Sequence, residues 1–181
     1  MSATRGIAFL RAVNVGGRVV KMDRLRASFE KAGFTNVETF IASGNVVFDL
    51  PASKKADALE RAIEAMLLEA FGFEVATFVR TVDELRAVAG HQPFTPAAVK
   101  KSVAFNVAFL RRPPDAKGKK AVQALTTAGD DFHIRGRELY WLSRVRQGES
   151  KISNALFEKT LGEPSTMRGI STIRKMAERF A

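Results

Sequence analysis

The apolar positions near the start of the chain follow the period of a strand and then the period of a helix. Ile7–Val13 is an apolar run typical of a buried strand. The polar segment from Arg11 to Gly17 follows it, with a pair of glycines at its end. Apolar residues then recur at helical spacing and predict a helix that ends at Gly33, with an apolar face of Met22, Leu25, Phe29 and Ala32.

Two β-rich runs follow this helix, and a short turn separates them. Val37–Ile41 and Val46–Leu50 flank Ser43-Gly44-Asn45, where a glycine with a positive φ can tighten a hairpin. The two runs are therefore predicted to pair as antiparallel strands. We expect this hairpin and the Arg11–Gly17 loop to lie on different edges of the sheet.

A long helix and a fourth strand complete the first half. Ser53 can cap a helix that ends at Gly72, with an apolar face of Leu59, Ile63, Met66, Leu67, Ala70 and Phe71. Glu74–Arg80 is the next strand. Residues 5–80 thus have the order β-α-β-β-α-β, the split βαβ or ferredoxin-like pattern.

The second half repeats this plan. Thr81-Val82-Asp83-Glu84 is a capping box for a connecting helix that extends toward Gly90, and Gln92–Lys101 is predicted to be a loop. The strand Val103–Arg111 ends in Ala108-Phe109-Leu110-Arg111, the same four residue types as Ala8-Phe9-Leu10-Arg11. We interpret this repeated segment as a sign of duplication.

Further helices and a hairpin follow the second Ala-Phe-Leu-Arg segment. Asp115 opens a helix predicted to end at Gly129, with Val122 and Leu125 directed inward. Phe132–Arg135 and Glu138–Ser143 flank Gly136 as a hairpin. Two more helices are marked by Ile152, Leu156 and Phe157 before Gly162, and by Ile173, Met176, Ala177 and Phe180.

The predicted fold class is α+β, with two ferredoxin-like βαββαβ halves in tandem and helices packed on one face of each antiparallel sheet. Residues 1–80 form the first half, 81–102 a connecting helix and loop, and 103–181 a second, basic half with a C-terminal helix. No Gly/Ser-rich or low-complexity segment separates the halves, so a flexible linker is not expected.

Three blocks in order resemble the bacterial domain-of-unknown-function family 1697. Its pattern A-F-L-R-G-I-N-V-G-G is similar to Ala8–Gly17, its K-M to Lys21-Met22, and its Y-I-Q-S-G-N-V-V-F to Phe40–Phe48. Its C-terminal pattern E-K-x-L-G then T-x-R-N-W-N-T is kept at Glu158-Lys159, Leu161-Gly162, Thr166 and Arg168. The resemblance implies a duplicated ferredoxin-like fold and no established reaction.

The chain departs from the family pattern at several positions. Ala12, Val13, Phe40 and Ala42 replace glycine, isoleucine, tyrosine and glutamine, and Gly169-Ile170-Ser171 replaces most of Asn-Trp-Asn. Any role of a side-chain amide before Ser43, or of a tryptophan that stacks on a ligand, is therefore not expected in this chain.

Composition excludes several classes of site. The chain has no cysteine, which rules out disulfides and thiolate metal ligands. Its two histidines, His91 and His133, are far apart in sequence, so we expect no metal site and no cofactor. The apolar stretch before Arg11 is too short for a secretory signal, and no uncharged run approaches the length of a membrane span. A cytoplasmic protein without a membrane partner is the expectation, and its oligomeric state is open.

The positive charge is concentrated in the second half. Residues 1–90 carry 12 basic and 11 acidic side chains, a net charge of +1, whereas residues 91–181 carry 17 and 8, a net charge of +9. This asymmetry favours an anionic partner such as nucleic acid, although a high isoelectric point is also consistent with a merely solubilising surface.

Two groups of residues follow from these patterns as candidate sites. A small anion, a phosphate or a carboxylate, is predicted to bind Arg11, Asn14, Gly16, Gly17 and Arg168. A polyanion is predicted to bind basic residues of the second half: Arg111, Arg112, Lys117, Lys119, Lys120, Arg135, Arg137, Arg144 and Arg146. The last four surround Tyr140 and Trp141, at least one of which we expect in the core because neighbouring strand residues face opposite sides.

Two functional interpretations remain open at this stage. One is an anion-binding, specifically nucleic-acid-binding, cytoplasmic module. The other is a small-molecule-binding protein or an enzyme that acts on a phosphate- or carboxylate-bearing metabolite between the two halves. Neither a nucleotide-binding glycine motif nor a nucleophile elbow is present, so catalysis is left undecided. For Gly16-Gly17, a simple turn before the first helix is the competing interpretation.

Overall fold

The computed structural model describes residues 4–41, 44–51, 56–146 and 149–180, which form two compact units. Unit 1 comprises Met1–Arg86 and Met176–Ala181, and unit 2 comprises Ala87–Lys175. Each unit contains one four-stranded sheet in which all neighbouring strands are antiparallel.

Unit 1 has the element order β-α-β-β-α-β. Its elements are β1 (Arg5–Leu10), α1 (Met22–Lys31), β2 (Glu38–Thr39), β3 (Asn45–Asp49), α2 (Ala56–Phe71) and β4 (Thr77–Thr81), and α3 (Val82–Gly90) follows. The strand order across the sheet is β2-β3-β1-β4. Ser53, the predicted cap of the second helix, lies outside the described residues.

Unit 2 repeats this order after a short helix. Its elements are α4 (Pro96–Lys100), β5 (Ala104–Leu110), α5 (Ala116–Gln123), β6 (Asp130–Arg135), β7 (Glu138–Ser143), α6 (Asn154–Leu161), β8 (Ser165–Gly169) and α7 (Ile170–Arg179). The strand order, β6-β7-β5-β8, is equivalent to that of unit 1. The predicted α+β fold with two similar halves in tandem is therefore confirmed.

Two helices of each unit, α1 and α2 in unit 1 and α5 and α6 in unit 2, pack on one face of the sheet and form a core there. In unit 1, Leu25 and Phe29 of α1 and the apolar face of α2 pack on β1, β3 and β4. In unit 2, Val122 of α5 and Phe157 of α6 pack on strand residues that include Trp141. The helical spacing of the apolar residues and the continuous apolar runs of the strands thus account for these two cores.

Equivalent polar contacts support the equivalent edge strand of each unit, β4 in unit 1 and β8 in unit 2. The Thr77 N–H at the start of β4 donates to Glu64 Oε1 at 2.9 Å, and the Ser165 N–H at the start of β8 donates to Glu158 Oε1 at 2.9 Å. Since a buried backbone donor without an acceptor costs about 1–3 kcal/mol, each carboxylate stabilises the entry of its strand. The repetition of this contact in both units is consistent with duplication.

A buried arginine also recurs at one strand position. Arg80 of β4 pairs with Ile7 of β1, and Arg168 of β8 pairs with Val107 of β5, at equivalent registers. Each arginine donates from Nη1 to the carbonyl of the preceding residue at 2.9 Å. Both side chains are buried, so they belong to the interior of the fold.

The last turn of α7 belongs to unit 1, and it covers the edge of the sheet of that unit. The Phe180 ring lies 6.0 Å from the Phe40 ring, just after the two-residue strand β2. Arg179 forms an ion pair with Glu38 at 3.3 Å. Arg5, which also pairs with Glu38, lies 5.7 Å from the Phe180 ring. These contacts protect a short edge strand from exposure.

The structure confirms some predicted helix ends and corrects others. The capping box is present, since the Thr81 N–H donates to Glu84 Oε2 at 2.8 Å and the Glu84 N–H donates to Thr81 Oγ1 at 3.0 Å. The helix opened by Asp115 ends at Gln123 rather than at Gly129. Thr127 Oγ1 accepts from the Gly129 and Asp130 N–H groups, and this turn replaces the last part of the predicted helix.

The predicted loop Gln92–Lys101 is wrong because it contains α4. Thr95 Oγ1 accepts from the Ala98 N–H at 3.2 Å, and Pro96 occupies the first helical position, where its missing N–H costs nothing. The strand β8 has no counterpart among the predicted elements. Its sequence, Ser-Thr-Met-Arg-Gly, has a buried arginine where an apolar residue is expected.

Trp141 offers a test of the polar contact inside the unit 2 core. Its Nε1 donates to Asp130 Oδ1 at 2.8 Å, and both side chains are buried. We expect Trp141→Phe to lower the free energy of unfolding by about 1–3 kcal/mol, because a buried carboxylate loses a donor. Urea unfolding followed by circular dichroism measures this change.

The adjacent substitution Tyr140→Phe is the control. Tyr140 is equally buried, but its hydroxyl donates to the Val88 carbonyl over a long distance of 3.4 Å. Removing this hydroxyl should lower the free energy of unfolding by less than Trp141→Phe does. If Tyr140→Phe lowered the free energy of unfolding by as much or more, the stabilising role of the Trp141–Asp130 hydrogen bond would be contradicted.

Candidate functional site

Basic residues of unit 2 meet where the central strand β5 ends. The Leu110 N–H, at the last position of β5, donates to the Arg137 carbonyl at 2.8 Å. Leu110 also pairs with Ser165 at the start of β8. Arg111 and Arg112 directly follow β5, so they emerge beside the hairpin that joins β6 to β7.

That hairpin carries a second pair of arginines. Gly136 has a φ of +58°, and Arg135 and Arg137 flank it at the tip. Arg135 is exposed and Arg137 is half-buried. Because antiparallel strands place this tip next to the end of β5, residues that are 24 positions apart in sequence lie at one end of the sheet.

The start of α5 adds three lysines to this end. Asp115 caps the helix, since its Oδ1 accepts from the Gly118 N–H at 2.7 Å. All three lysines, Lys117, Lys119 and Lys120, are exposed, and in this eight-residue helix Lys117 lies in the first turn and Lys120 in the last. A cation in the first turn is electrostatically unfavourable for a helix, so helix stability does not explain the presence of Lys117.

We name these seven side chains the strand-end basic surface: Arg111, Arg112, Lys117, Lys119, Lys120, Arg135 and Arg137. The carboxylates near it are Asp115, Glu138 and Glu163. Glu163 lies 3.9 Å from Arg112, whose side chain is 80% exposed, so this pair neutralises little of the local charge. The end of the sheet therefore has an excess of positive charge.

Arg144 and Arg146 are not part of this surface. They follow β7, whose last residue, Ser143, pairs with Ala104 at the start of β5. Arg144 forms an ion pair with Asp131 and donates to the Ala128 carbonyl. The structure thus divides the nine predicted polyanion-binding residues between opposite ends of the unit 2 sheet.

The two aromatic residues of β7 are both buried. Trp141 is 2% exposed and packs edge-on against Phe157, with ring centroids 6.0 Å apart. Tyr140 is 1% exposed on the other face of the sheet. The sequence predicts at least one of them in the core, and the structure places both there.

The two histidines, distant in sequence, are neighbours in unit 2. Their ring centroids are 5.1 Å apart, and the His91 ring lies 5.0 Å from the Tyr140 ring. Burial lowers the pKa of His91, and the positive charges of Arg135 and His133 lower it further. Over the described ranges, no group of three or more His, Cys, Asp or Glu side chains is placed to hold a metal ion.

The second candidate site, the Arg11–Gly17 loop, belongs to unit 1. Asn14 Oδ1 accepts from the Val20 N–H at 2.6 Å, so this amide holds the loop in shape. Gly16 and Gly17 have φ values of +65° and +83° and are exposed. In the described part of the chain, no group accepts a hydrogen bond from either glycine N–H.

The predicted separation of this loop from the β2–β3 turn is wrong. The Leu10 N–H donates to the Gly44 carbonyl at 2.8 Å, and a Cβ on Gly44 would lie 3.4 Å from Val13. The reason is that the end of β1 adjoins the start of its antiparallel neighbour β3. Ser43, the first residue of the predicted turn, lies outside the described residues.

Arg168, the fifth residue predicted for the small-anion site, lies in β8 of unit 2, whereas Arg11 lies in unit 1. Arg168 donates from Nη1 to Thr166 Oγ1 at 2.9 Å. Burial lowers the pKa of Arg168 to about 10.

The lowered pKa of His91 predicts a pH-dependent stability. Between this lowered pKa and the ordinary value of 6.5, the unfolded chain binds more protons than the folded chain. The free energy of unfolding should therefore be constant above pH 6.5 with respect to this group and should fall as the pH decreases below it. Urea unfolding between about pH 5 and pH 8 measures this dependence.

Substitutions at the two histidines test whether His91 causes this pH dependence. His91→Phe keeps an aromatic ring against Tyr140 and should flatten the pH dependence. His133→Phe removes only the smallest of the three causes of the lowered pKa of His91 and should preserve most of the pH dependence. An unchanged slope in His91→Phe would refute the role of His91.

No helix within the described residues is long and apolar enough to cross a membrane. A search among curated proteins finds no match to the chain.

A solved structure and a family model do match. The structure is that of the conserved bacterial protein SP0830 from Streptococcus pneumoniae, which is 22% identical and has a TM-score of 0.76 over 98% of both chains. This similarity shows the fold. The model of the family described as "Protein of unknown function (DUF1697)" matches residues 3–140, and the Gly169–Ser171 departures lie beyond that range. Since this match covers most of the chain, the protein belongs to the DUF1697 family.

Proposed function

We propose that the protein binds nucleic acid, and that the strand-end basic surface of unit 2 contacts the phosphates. The observation that supports this is the convergence of two arginine pairs and three helix lysines at one end of the sheet. These residues come from three separate segments of the sequence, residues 111–112, 117–120 and 135–137, so the cluster arises from folding.

The electrostatics of this surface suit a phosphate backbone. A cation that neutralises a phosphate releases condensed counterions, which makes the binding favourable at low salt. Arginine can also pair with two phosphate oxygens at once. Lys117, in the first turn of α5, acts against the dipole of its own helix, and an anionic partner would compensate for that cost.

The chain offers a matched test of this surface. Lys119→Ala/Lys120→Ala removes two exposed cations and places good helix formers in α5. With a fluorescently labelled DNA duplex, we expect weaker binding at about 50 mM salt. The slope of log K against log salt should become shallower by about 2, one for each lost phosphate contact. Fluorescence anisotropy over a salt series gives both quantities.

The control removes the same charge from the opposite end of the sheet. Lys100→Ala/Arg146→Ala changes two exposed residues, one before β5 and one after β7. This variant should bind almost as tightly as the unaltered protein. The proposal fails if neither the duplex nor a single strand is bound at low salt, or if the control variant loses as much affinity as Lys119→Ala/Lys120→Ala.

A small anion bound by the Arg11–Gly17 loop is a second candidate function. It is favoured by the consecutive Gly16 and Gly17 N–H groups, exposed and without an acceptor among the described residues. Successive N–H groups in a turn can form a concave site for an anion, and Arg11 immediately follows β1 at the start of this loop. The contribution of Arg168 to such a site stays a prediction.

An NMR titration with inorganic phosphate tests this second candidate. The Gly16 and Gly17 amide signals should shift and saturate below about 10 mM phosphate, the range of a weak site. Gly72 is the control because it is also an exposed glycine with positive φ, but its N–H already donates to the Leu68 carbonyl. Equal, unsaturated shifts at all three glycines would exclude the site.

A further inference from the structure

We infer that the nucleic acid bound by the strand-end basic surface is a duplex and not a single strand. This inference rests on the proposed function and specifies its partner. The observations that carry it are the burial of the aromatic side chains and the distribution of the cations.

Single-strand binders gain much of their affinity from exposed aromatic rings on which bases stack. Each such contact is worth about 1–3 kcal/mol. All 16 aromatic side chains of this chain, 14 Phe with one Tyr and one Trp, lie within the described residues; nine of them are buried, seven are half-buried and none is largely exposed. No ring among them is therefore open enough to serve as a full stacking platform for an unpaired base.

The aromatic rings of unit 2 pack against one another. On one face of the sheet, Phe132 and Trp141 both contact Phe157. On the other face, Phe105 contacts Phe94 and Tyr140. To stack on a base, a buried ring such as Trp141 would have to leave the core, and that would cost the stability that its burial provides. The half-buried rings of Phe94 and Phe105 would have to give up their contact with each other.

The strand-end basic surface itself contains only cations. Phe109 is the aromatic residue nearest in sequence to Arg111, and it is fully buried. Contacts made by this surface are therefore contacts to phosphates first. Phosphate contacts distinguish nucleic acids by the density and arrangement of their charge rather than by unpaired bases.

Charge density favours the duplex. Double-stranded DNA carries one charge per about 1.7 Å of its axis, twice that of one strand, and its binding releases more counterions per phosphate contacted. The cations are also held on a rigid frame, through the Leu110–Arg137 hydrogen bond and the Asp115 cap.

The experiment compares one labelled 20-nucleotide strand with the same strand annealed to its complement. Fluorescence anisotropy of the full chain, over the same salt series, should give at least about fivefold tighter binding to the duplex and a steeper salt slope. Equal or tighter binding of the single strand would overturn the inference and leave the proposed function intact. Binding of neither probe at low salt would refute the proposed function itself.

The single tryptophan supplies an independent readout. Because Trp141 is buried against Phe157 and Asp130, its fluorescence should be unchanged when the duplex or the single strand is added. Quenching that saturates with the single strand would show that a base reaches the aromatic core, and it would overturn the inference. Lys119→Ala/Lys120→Ala should weaken duplex binding in the same assay, and an unaffected duplex affinity would place the binding elsewhere.

Discussion

One backbone hydrogen bond at the end of each central strand determines which loops of that unit meet. In unit 1 the Leu10 N–H donates to the Gly44 carbonyl, and in unit 2 the Leu110 N–H donates to the Arg137 carbonyl, both at 2.8 Å. Because these bonds fix the antiparallel register, the segment after the central strand always emerges beside a particular turn. The strand-end basic surface exists only because of this register. The same constraint brings the Arg11–Gly17 loop next to Gly44.

The two units have equivalent sheets, but different residues follow the central strand in each. At the end of its central strand, unit 2 carries seven cations. At the equivalent end, unit 1 exposes Val15 and Val19, which are 59% and 83% exposed, in a loop with two left-handed glycines. The buried contacts are retained in both, as Glu64 with Thr77 and Glu158 with Ser165 show. The two units therefore differ in these loops and share the carboxylate supports inside each sheet.

The sequence predicts those parts of the fold that depend on local periodicity. Leu25 and Phe29 recur at helical spacing and are buried on α1, and the Thr81–Glu84 capping box forms as expected. Elements without a periodic pattern are missed. α4 has only five residues, although Thr95-Pro96 is a recognisable helix start, and β8 contains the buried Arg168, which is atypical of a strand interior. The contact of His91 with His133 and the separation of Arg144 from Arg137 depend on sheet register, which no local pattern encodes.

The last turn of α7 has a consequence for how the protein is made. Glu38 beside the edge strand β2 pairs with Arg179, which is 141 positions later in the sequence. During synthesis, nearly the whole of unit 2 must leave the ribosome before the residues that cover this edge are available. The first sheet to be translated is thus completed late, and its short outer strand stays unprotected until Arg179 has been synthesised. Contacts of such long sequence separation slow folding and leave strand edges open to wrong partners in the meantime.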